Sequence, residues 1–416
     1  MENKKLLDYI ETLEPLAIDL QTELCKYPAV SPESGGEGEL DKFIFLEGWL
    51  KSQGIVNLER YDAPDARAKG GIRPNLIATI EGKDPGKGCF WIMSHVDVVP
   101  PGEISLWTSD PWKVVLGERN GKKCIIGRGV EDNQHGLVAS VLAALAFLRH
   151  GIKPERTVKL LFVSDEENGS IYGIGWMMKN HPSLFNSNDI SLVPDSGDNQ
   201  GAVMEVAEKN IAWIRFATHG KQAHGSSPAH GINAHLAAAD LGVQLHYGLT
   251  EKFGDHDPLF TPDYSTFQMT KKEANVPNIN TIPGEDVMYF DMRILPRYPI
   301  SMVLEEVDRI IAGIKTKHGV TVDYTMMQAM ESKPTSPDAP IVKCLAKNIE
   351  AIYGVKARPV GIGGGTLAAY MRNSGIDSVV WYRSNETAHQ PDECAMVESI
   401  ISDAKIFALM MMENQL

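Results

Sequence analysis

Three consecutive acidic residues, Asp165, Glu166 and Glu167, follow an apolar stretch in the sequence LLFVSDEENGS. The residues LLFVS are typical of a buried strand, so the acids stand where the chain leaves the protein core. Adjacent carboxylates repel one another, and burying them costs free energy unless a cation lies nearby. The sequence therefore predicts either a cationic partner for these acids or a turn directly into water.

Other side chains that can bind a metal follow similar apolar stretches. His95 and Asp97 come after CFWIMS in SHVDVVPPG, Asp195 comes after ISLVP, and His389 follows DSVVWY. Asp132, in GRGVEDNQ, stands at the start of a predicted alanine-rich helix. Because open α/β sheets bind ligands at the carboxyl ends of their strands, these loops are expected to converge on one edge.

Two histidines and three or four carboxylates exceed what one tetrahedral zinc ion requires. The set suits two divalent ions that share a carboxylate and a water, which leaves Glu166 or Glu167 free to act as a base. Each of these residues could instead have an ordinary structural role. His95 can be structural, the acids can form a solvated turn, and Asp132 can cap the helix. Their joint presence in these loops favours the two-metal hypothesis.

The elements that would position these loops alternate between strand and helix. TVKLLFVS and DISLV predict strands, whereas DKFIFLEGWLKSQG and NQHGLVASVLAALAFLRHG predict helices. MENKKLLDYIETLEPLAIDL predicts one amphipathic first helix. This βαβ order predicts an α/β fold with a mostly parallel sheet and helices on both faces.

The middle of the chain has a different pattern. IAWIRFATHG, VMYFDMRI and VTVDYTMM predict half-exposed strands, and two helical stretches separate them. This pattern predicts a small α+β domain with an antiparallel sheet at residues 211–330. It would be inserted into a metal-binding catalytic domain formed by residues 1–210 and 331–416.

Composition excludes several classes of function. The 416 residues have a net charge of −14, which argues against a nucleic-acid partner. The longest apolar run, GLVASVLAALAFL, is too short to span a bilayer, so no membrane association is expected. Five cysteines without CxxC spacing fit a reducing compartment. These features predict a soluble cytoplasmic protein.

The motifs resemble those of the dizinc amidohydrolases that include acetylornithine deacetylase, succinyl-diaminopimelate desuccinylase, glutamate carboxypeptidase and aminoacylase. Besides the stretches quoted above, W-x-x-DPW, VPDSG, HGKQAHGSSPAHGINA and TAHQPDE match, in the family's order and over most of the chain. The resemblance implies a hydrolase of amide or peptide bonds with two Zn²⁺ per chain, which Co²⁺ or Mn²⁺ could replace. The inserted domain matches the family's lid or dimerisation domain, so a homodimer is expected.

The resemblance also implies a metal-binding role for five residues. His95 and Asp195 would bind one zinc ion, and His389 and Glu167 would bind the other. Asp132 would bridge the two ions.

Further residues match catalytic roles in that family. Glu166 matches its general acid/base, and Asp97 matches the carboxylate that orients His95. His224, in QAHGSSP, matches a histidine that stabilises the tetrahedral intermediate, either in its own chain or in a partner subunit. His230 is the alternative, and a surface loop or a separate metal site is the ordinary interpretation of this histidine-rich segment.

Four residues are candidates for substrate binding. Arg293 in FDMRILP and Asn278 in VPNIN match positions of the family's inserted domain, and Gly365 and Thr366 end the glycine run VGIGGGT. Arg293 could equally form a structural ion pair near Asp291. The glycine run lacks the GxGxxG pattern, which weakens a nucleotide-dependent alternative, and no Asp follows it as in many relatives.

The predicted function is hydrolysis of the amide of an N-acyl amino acid, as in deacetylases and desuccinylases. A dipeptidase or carboxypeptidase-type exopeptidase would use the same site, and the motifs do not distinguish the two. A catalytically silent zinc-binding protein is a more remote alternative, because neither Glu166 nor a predicted ligand is missing.

Overall fold

The computed structural model describes residues 2–416, which form two compact units. Unit 1 contains residues 2–206, Thr335–Pro359 and Thr366–Leu416, and unit 2 contains Ala207–Pro334 and Val360–Gly365. No helix within residues 2–416 is both long and apolar enough to cross a membrane.

Residues 360–365 group with unit 2, whereas the sequence prediction assigned all of 331–416 to the first domain. Backbone hydrogen bonds explain this grouping. The N–H of Gly361 donates to the carbonyl of Leu259 at 2.7 Å, and the N–H of Lys209 donates to the carbonyl of Ile362 at 2.9 Å. These bonds attach the glycine run to unit 2.

The structure contains ten α-helices in residues 2–416, which are α1 Glu2–Glu11, α2 Glu14–Cys25, α3 Leu40–Ser52, α4 Gln134–His150, α5 Ile174–Asn180, α6 Ala234–Lys252, α7 Ile300–His318, α8 Pro340–Tyr353, α9 Ala368–Asn373 and α10 Val397–Met411. The strands in the same residues are β1 Leu58–Pro64, β2 Ile72–Ile80, β3 Cys89–His95, β4 Val115–Arg119, β5 Lys122–Ile126, β6 Thr157–Val163, β7 Ile190–Val193, β8 Val203–Glu208, β9 Asn210–His219, β10 Ala223–His224, β11 Thr266–Lys272, β12 Thr281–Ile282, β13 Glu285–Ile294, β14 Thr321–Met330, β15 Arg358–Ile362, β16 Asp377–Val380 and β17 Cys394–Met396.

The N-terminal segment forms two helices where the sequence predicted one. Helix α1 ends at Glu11, and α2 begins at Glu14 with Pro15 in its first turn. Proline has no N–H to donate to a preceding turn, but it is well tolerated at the start of a helix. Pro15 therefore begins a new helix instead of continuing the first.

The large sheet has eight strands in the order β1-β2-β6-β3-β7-β16-β8-β15. Strand β3 is parallel to β6 and β7, and β16 is parallel to β7, whereas β1, β2 and β8 pair antiparallel with their neighbours. The predicted α/β fold class is confirmed, with the parallel pairs at the centre of the sheet. The loops after β3, β6 and β7 consequently leave the sheet at the same edge.

Helices bury the large sheet. Trp91 and Met93 of β3 pack in a core with Ile174 of α5 and Met371 of α9. Helix α4, whose residues from Gln134 to Phe147 are all buried, lies against β3 and β6. A leucine-to-alanine change in such a helix typically costs about 2–5 kcal/mol of stability. The strand ends are thus held by a rigid, dry core.

Unit 2 contains an antiparallel sheet in the order β11-β13-β9-β14. Its inward side chains, such as Ile214 and Phe290, form a core with Leu245 of α6 and Val307 of α7. Trp213 alternates to the other face and is exposed, as expected for a sheet with one covered face. The predicted α+β architecture with an antiparallel sheet is confirmed.

Candidate metal centre

Two histidines and two aspartates from separate loops meet at the carboxyl edge of the large sheet. His95, the last residue of β3, places Nε2 2.9 Å from Oδ1 of Asp132 and 3.3 Å from Oδ1 of Asp195. Nε2 of His389 lies 3.0 Å from the other oxygen of Asp132, Oδ2. Each oxygen of Asp132 therefore faces one imidazole, which is the geometry expected of a bridging carboxylate.

Glu167 extends the cluster on the His389 side. Its Oε2 lies 3.2 Å from Nε2 of His389, while its Oε1 is buried without a hydrogen-bond partner in residues 2–416. A buried carboxylate oxygen without a partner is costly, and a cation would satisfy it. The donor atoms are imidazole nitrogens and carboxylate oxygens, which suit Zn²⁺ and related divalent ions. The side chains therefore fit metal ions.

The possible ligand atoms form two overlapping groups. One contains His95, Asp132 and Glu167, and the other contains His95, Glu166 and Asp195; within each group the atoms lie within 4.8 Å of one another. The side chain of His95 is 1% exposed, whereas that of His389 is 54% exposed. The cluster therefore opens to solvent on the side of His389.

The carboxylates attract positive charge to the cluster. Burial alone would lower the pKa of His95, but Asp195 and Asp132 hold that pKa well above its ordinary value. Hydrogen bonds to Asp132 and Glu167 raise the pKa of His389 to about 10. Burial opposes ionisation of Asp132, yet its bonds to both histidines keep its pKa below the usual range. The arrangement stabilises cationic partners.

Glu166 differs from its neighbour because its carboxylate is in no hydrogen bond or ion pair within the described chain. Burial, followed by the negative charge of Asp195, raises its pKa well above that of an ordinary glutamate. The side chain is partly buried beside His95 and Asp195. A carboxylate in this position can exchange a proton with a molecule bound at the cluster.

Asp97 supports both the histidine and the acidic turn. Its carboxylate accepts the backbone N–H groups of Glu166 and Glu167, each at 3.1 Å. Nδ1 of His95 lies 2.9 Å from the main-chain oxygen of Asp97 and 3.5 Å from its carboxylate. The imidazole is thus oriented mainly by a carbonyl group, whereas the sequence hypothesis assigned that role to the carboxylate.

Asp165, the first acid of the turn, points away from the metal cluster. It has left-handed backbone angles, with φ 67°, and its Oδ2 accepts the N–H of Tyr172 at 2.9 Å. Its Oδ1 lies 3.4 Å from the buried guanidinium of Arg73, which also forms a two-fold hydrogen bond with buried Glu39. The three acids therefore have different partners. Asp165 contacts an arginine, and Glu166 and Glu167 face the candidate metal-binding cluster.

Two buried glutamates that the sequence analysis did not single out hold the loop of Asp132. Glu393 accepts the N–H groups of Glu131 and Asp132, both at 2.9 Å, and a side-chain donor of Arg128 at 2.7 Å. Glu131 accepts the N–H of Thr387 at 2.8 Å. Because Thr387 lies two residues before His389, these bonds connect the loops that contain Asp132 and His389. Glu131 lies within the motif GRGVEDNQ, and Glu393 lies within TAHQPDE. Their position inside these motifs was the only sign in the sequence that they support the site.

Asn133 supplies a further connection within the cluster. Its side-chain N–H group donates to the carbonyl of Pro194 at 2.6 Å and to Oδ1 of Asp195 at 2.5 Å. Asn133 is also the N-cap residue of α4, but no side chain caps that helix. The ordinary alternative for Asp132, a helix cap, therefore does not apply. The peptide bond between Asp132 and Asn133 is cis.

The histidines predicted to act in catalysis from the inserted domain lie in unit 2. His224 is exposed at the end of β10, opposite Thr281 of β12, and its Nδ1 accepts hydrogen bonds from the hydroxyl and N–H of Ser226 at 2.8 and 3.1 Å. His230 is exposed in a short 3-10 helix. Both are accessible from solvent within this unit.

The four predicted substrate-binding residues have different surroundings. Arg293 forms a two-fold ion pair with Asp291 at 2.7 and 3.0 Å, the structural alternative raised by the sequence. Asn278 is exposed. A side chain at Gly365 would begin 1.8 Å from Cε of Met330, so the flexible end of that methionine would have to move to admit one. Thr366 is largely buried and accepts the N–H of Ala368 at 3.2 Å.

The sequence and structure are similar to those of known metallohydrolases. The model of peptidase family M20/M25/M40 matches residues 91–413. An uncharacterized metallohydrolase of Methanocaldococcus jannaschii is 38% identical over 409 residues, covering 94% of this chain and 97% of the relative. Succinyl-diaminopimelate desuccinylase of Sulfurovum sp. is 27% identical over 393 residues, covering 94% and 96%.

Solved structures show the same fold at low sequence identity. The di-peptidase Dug1p of Saccharomyces cerevisiae has a TM-score of 0.75 and 16% identity, covering 100% of this chain and 99% of that chain. The YXEP protein of Bacillus subtilis, a dinuclear metal binding peptidase of family M20, has a TM-score of 0.64 and 16% identity, covering 97% and 98%.

Proposed function

Because the chain belongs to peptidase family M20/M25/M40, we propose that it is a two-metal hydrolase that cleaves the amide bond of N-acyl amino acids. The family makes it a metallohydrolase acting on amide or peptide bonds. The observation that most supports two ions is Asp132, whose two oxygens face two different imidazoles. Similarity to a desuccinylase over 94% of the chain favours an acylated amino acid as substrate.

We assign five residues as metal ligands. His95 and Asp195 would hold one ion, His389 and Glu167 the other, and Asp132 would bridge them. Each ion would then have one imidazole, one terminal carboxylate and a share of the bridging carboxylate, with room for water or substrate. Zn²⁺ is the proposed native ion, and Co²⁺ or Mn²⁺ would suit the same donors.

Two divalent ions at this cluster would polarise the scissile carbonyl and make a water molecule acidic enough to lose its proton. Glu166 would take that proton and deliver it to the leaving amine, because its carboxylate lies at the cluster without another partner. Asp97 fixes the backbone of Glu166 through an N–H hydrogen bond. The rigid core beneath the turn holds this geometry.

Residues of unit 2 would complete the site. His224 would stabilise the tetrahedral intermediate, from its own chain or from a partner subunit, and its exposure leaves it available for that role. Arg293, Asn278, Gly365 and Thr366 are the proposed substrate-binding residues. Arg293 would have to exchange a bond to Asp291 or to the carbonyl of Gly363 for a substrate carboxylate, which a guanidinium can bind through two parallel hydrogen bonds.

We also propose a homodimer formed through unit 2. Helix α6 exposes Leu236, Val243 and Tyr247 at helical spacing, and the adjacent edge strand β11 exposes Met269. An apolar helix face beside an open strand edge suits a second copy of the same surface. Light scattering should give twice the chain mass, and Val243→Glu should yield monomers. A monomeric native protein would contradict this assembly.

The five cysteines are free in the structure, which supports the proposed cytoplasmic location.

A dipeptidase or exopeptidase is the second candidate, favoured by the structural similarity to Dug1p. Amine release by the zinc-loaded enzyme should be measured on N-acetyl and N-succinyl amino acids and on dipeptides. Chelated enzyme and Glu166→Ala would serve as controls. Preference for the acylated amino acids would support the deacylase, and preference for the dipeptides would replace it with a peptidase. No cleavage with two zinc ions bound would favour a catalytically silent metal-binding protein.

A further inference from the structure

A polar cavity in unit 1 is lined by Arg383 and Asn385, which precede His389 in the same loop. Its volume is about 390 Å³, and none of the proposed metal ligands lines it. The lining includes Arg119 and Lys122 from the β4–β5 hairpin and Arg383 from the loop after β16. Glu398 is the one acidic residue among the lining side chains. Three cations thus face one carboxylate in a chain whose net charge is −14.

The positive charge in this cavity is only partly neutralised within residues 2–416. Glu398 accepts a short hydrogen bond from Lys122 and lies 3.8 Å from Arg383. Arg119 forms no ion pair with a carboxylate in the described chain. Its Nη1 instead contacts the sulfur of Cys394 at 3.0 Å. One acid is shared between two cations, and the neighbouring Arg119 donates a side-chain hydrogen bond to a thiol, so the cavity has an excess of donors.

The other surroundings also favour an anion. Helix α10 begins at Val397, its next two residues Glu398 and Ser399 line the cavity, and no side chain caps its first turn. Its N–H groups and dipole add partial positive charge to that supplied by the three side chains. The guanidinium of Arg383 is held in place, because it stacks on Tyr353 and donates to the carbonyl of Asn199 at 3.0 Å.

We propose that this cavity binds a small anion with at least two negative charges, a tetrahedral oxyanion or a dicarboxylate, between Arg119, Lys122 and Arg383. The anion would be a ligand distinct from the substrate, because the cavity is separate from the metal cluster. The wall residue Asn385 donates its N–H to Glu131, whose neighbour is the bridging Asp132. The bound anion would therefore contact the loop that positions His389.

Isothermal titration calorimetry on the full-length, zinc-loaded protein would test this site at constant ionic strength. Inorganic sulfate represents a tetrahedral oxyanion, and glutarate represents a dicarboxylate. The variant Arg119→Gln/Lys122→Gln removes two exposed charges from the cavity. The variant Lys4→Gln/Lys113→Gln is the matched control, because it removes two exposed positive charges elsewhere on the chain.

The wild-type protein and the control should bind at least one probe with a saturable heat. In the cavity variant the affinity should fall about tenfold or more, as expected when charged hydrogen-bond donors are lost. The preferred probe would identify the geometry of the anion. Equal binding by the cavity variant and the wild type, or no saturable heat from either probe in the wild type, would overturn the proposal.

Discussion

Glu167 in unit 1 and Glu306 in unit 2 are both largely buried glutamates, yet their environments have opposite effects. Glu306 accepts hydrogen bonds from Arg309 at 2.9 and 3.0 Å and from Lys252 at 2.6 Å, and these bonds lower its pKa to about 2. Burial raises the pKa of Glu167, and the negative charge of Asp132 nearby acts in the same direction, against the hydrogen bond to His389. Glu306 has two cationic partners for its oxygens, whereas Glu167 shares one histidine with Asp132 and keeps one oxygen unpaired in residues 2–416.

The comparison distinguishes buried acids that stabilise the fold from buried acids that bind a ligand. An acid whose pKa falls has a protein cation as partner, so it serves stability. An acid whose pKa rises among other acids, and which retains an unpaired oxygen, is arranged for a ligand. The first kind should respond to mutation through folding, and the second through metal content or catalysis.

Replacing Glu166 should give the largest effect. Glu166→Gln keeps the shape of the side chain but cannot accept a proton, so kcat should fall by about 10²- to 10⁴-fold. Metal content, measured by atomic emission, should stay near two ions per chain because this carboxylate is not a proposed ligand. Loss of metal in parallel with activity would make Glu166 a ligand and break the distinction between the two neighbouring acids.

Replacing Glu167 should act through the metal instead. Glu167→Gln removes a proposed ligand, so affinity for the ion beside His389 should fall by more than the 10- to 100-fold typical of residues outside the ligand set. Titration of the apo-protein with zinc in the presence of a competing chelator would measure this. Two ions bound with native affinity would contradict the assignment.

Replacing Glu393 would test whether its hydrogen bonds to the backbone of Glu131 and Asp132 contribute to metal binding. Glu393→Gln cannot accept all the bonds of the buried carboxylate, so metal affinity should decrease by about 10- to 100-fold. Glu386→Gln is the control, because Glu386 is exposed in the same loop. Equal metal affinity in both variants would limit Glu393 to a role in folding.

Replacing Glu306 should lower the stability of the fold without affecting metal binding or catalysis. We expect this to be the smallest of the four effects. Its folded pKa of about 2 is below the value of about 4.3 for an unfolded chain. The ion pair therefore stabilises the protein above pH of about 5, and this contribution is lost as the pH falls toward 2. Since its partners are exposed to solvent, we expect Glu306→Gln to cost about 1 kcal/mol at pH 7.

Urea denaturation at pH 7 and pH 4 would measure the free energy of unfolding of this variant, with exposed Glu305→Gln as the control. The difference between wild type and Glu306→Gln should be smaller at pH 4. A difference that grows as the pH falls would contradict the sign of the pKa shift.

Residue type and position were enough to predict the fold class and the convergence of the loops. The apolar stretches before His95 and Glu166 indicated parallel strands, and parallel strands bring the loops at their carboxyl ends together. The sequence could not show that Asp165 turns to Arg73 or that Glu393 holds the backbone of Asp132. These contacts join residues far apart in the chain, and no local periodicity encodes them.

Arg293 illustrates the same limit in unit 2. Two neighbouring residues on one face of a strand, Asp291 and Arg293, were compatible with either an ion pair or a substrate site. The structure shows the ion pair, with a further bond from Arg293 to the carbonyl of Gly363 at 2.7 Å. A ligand-binding role for such a residue depends on the substrate and is not determined by the spacing of the side chains.

The order of the proposed metal ligands along the chain has a consequence for biosynthesis. His95, Asp132, Glu167 and Asp195 all precede unit 2 in the chain, whereas His389 and Glu393 follow it. A nascent chain on the ribosome therefore exposes the acidic part of the centre long before the second imidazole is translated. Products of translation interrupted within unit 2 would contain these carboxylates without His389 and Glu393, so the proposed two-ion centre could form only after both residues have been translated.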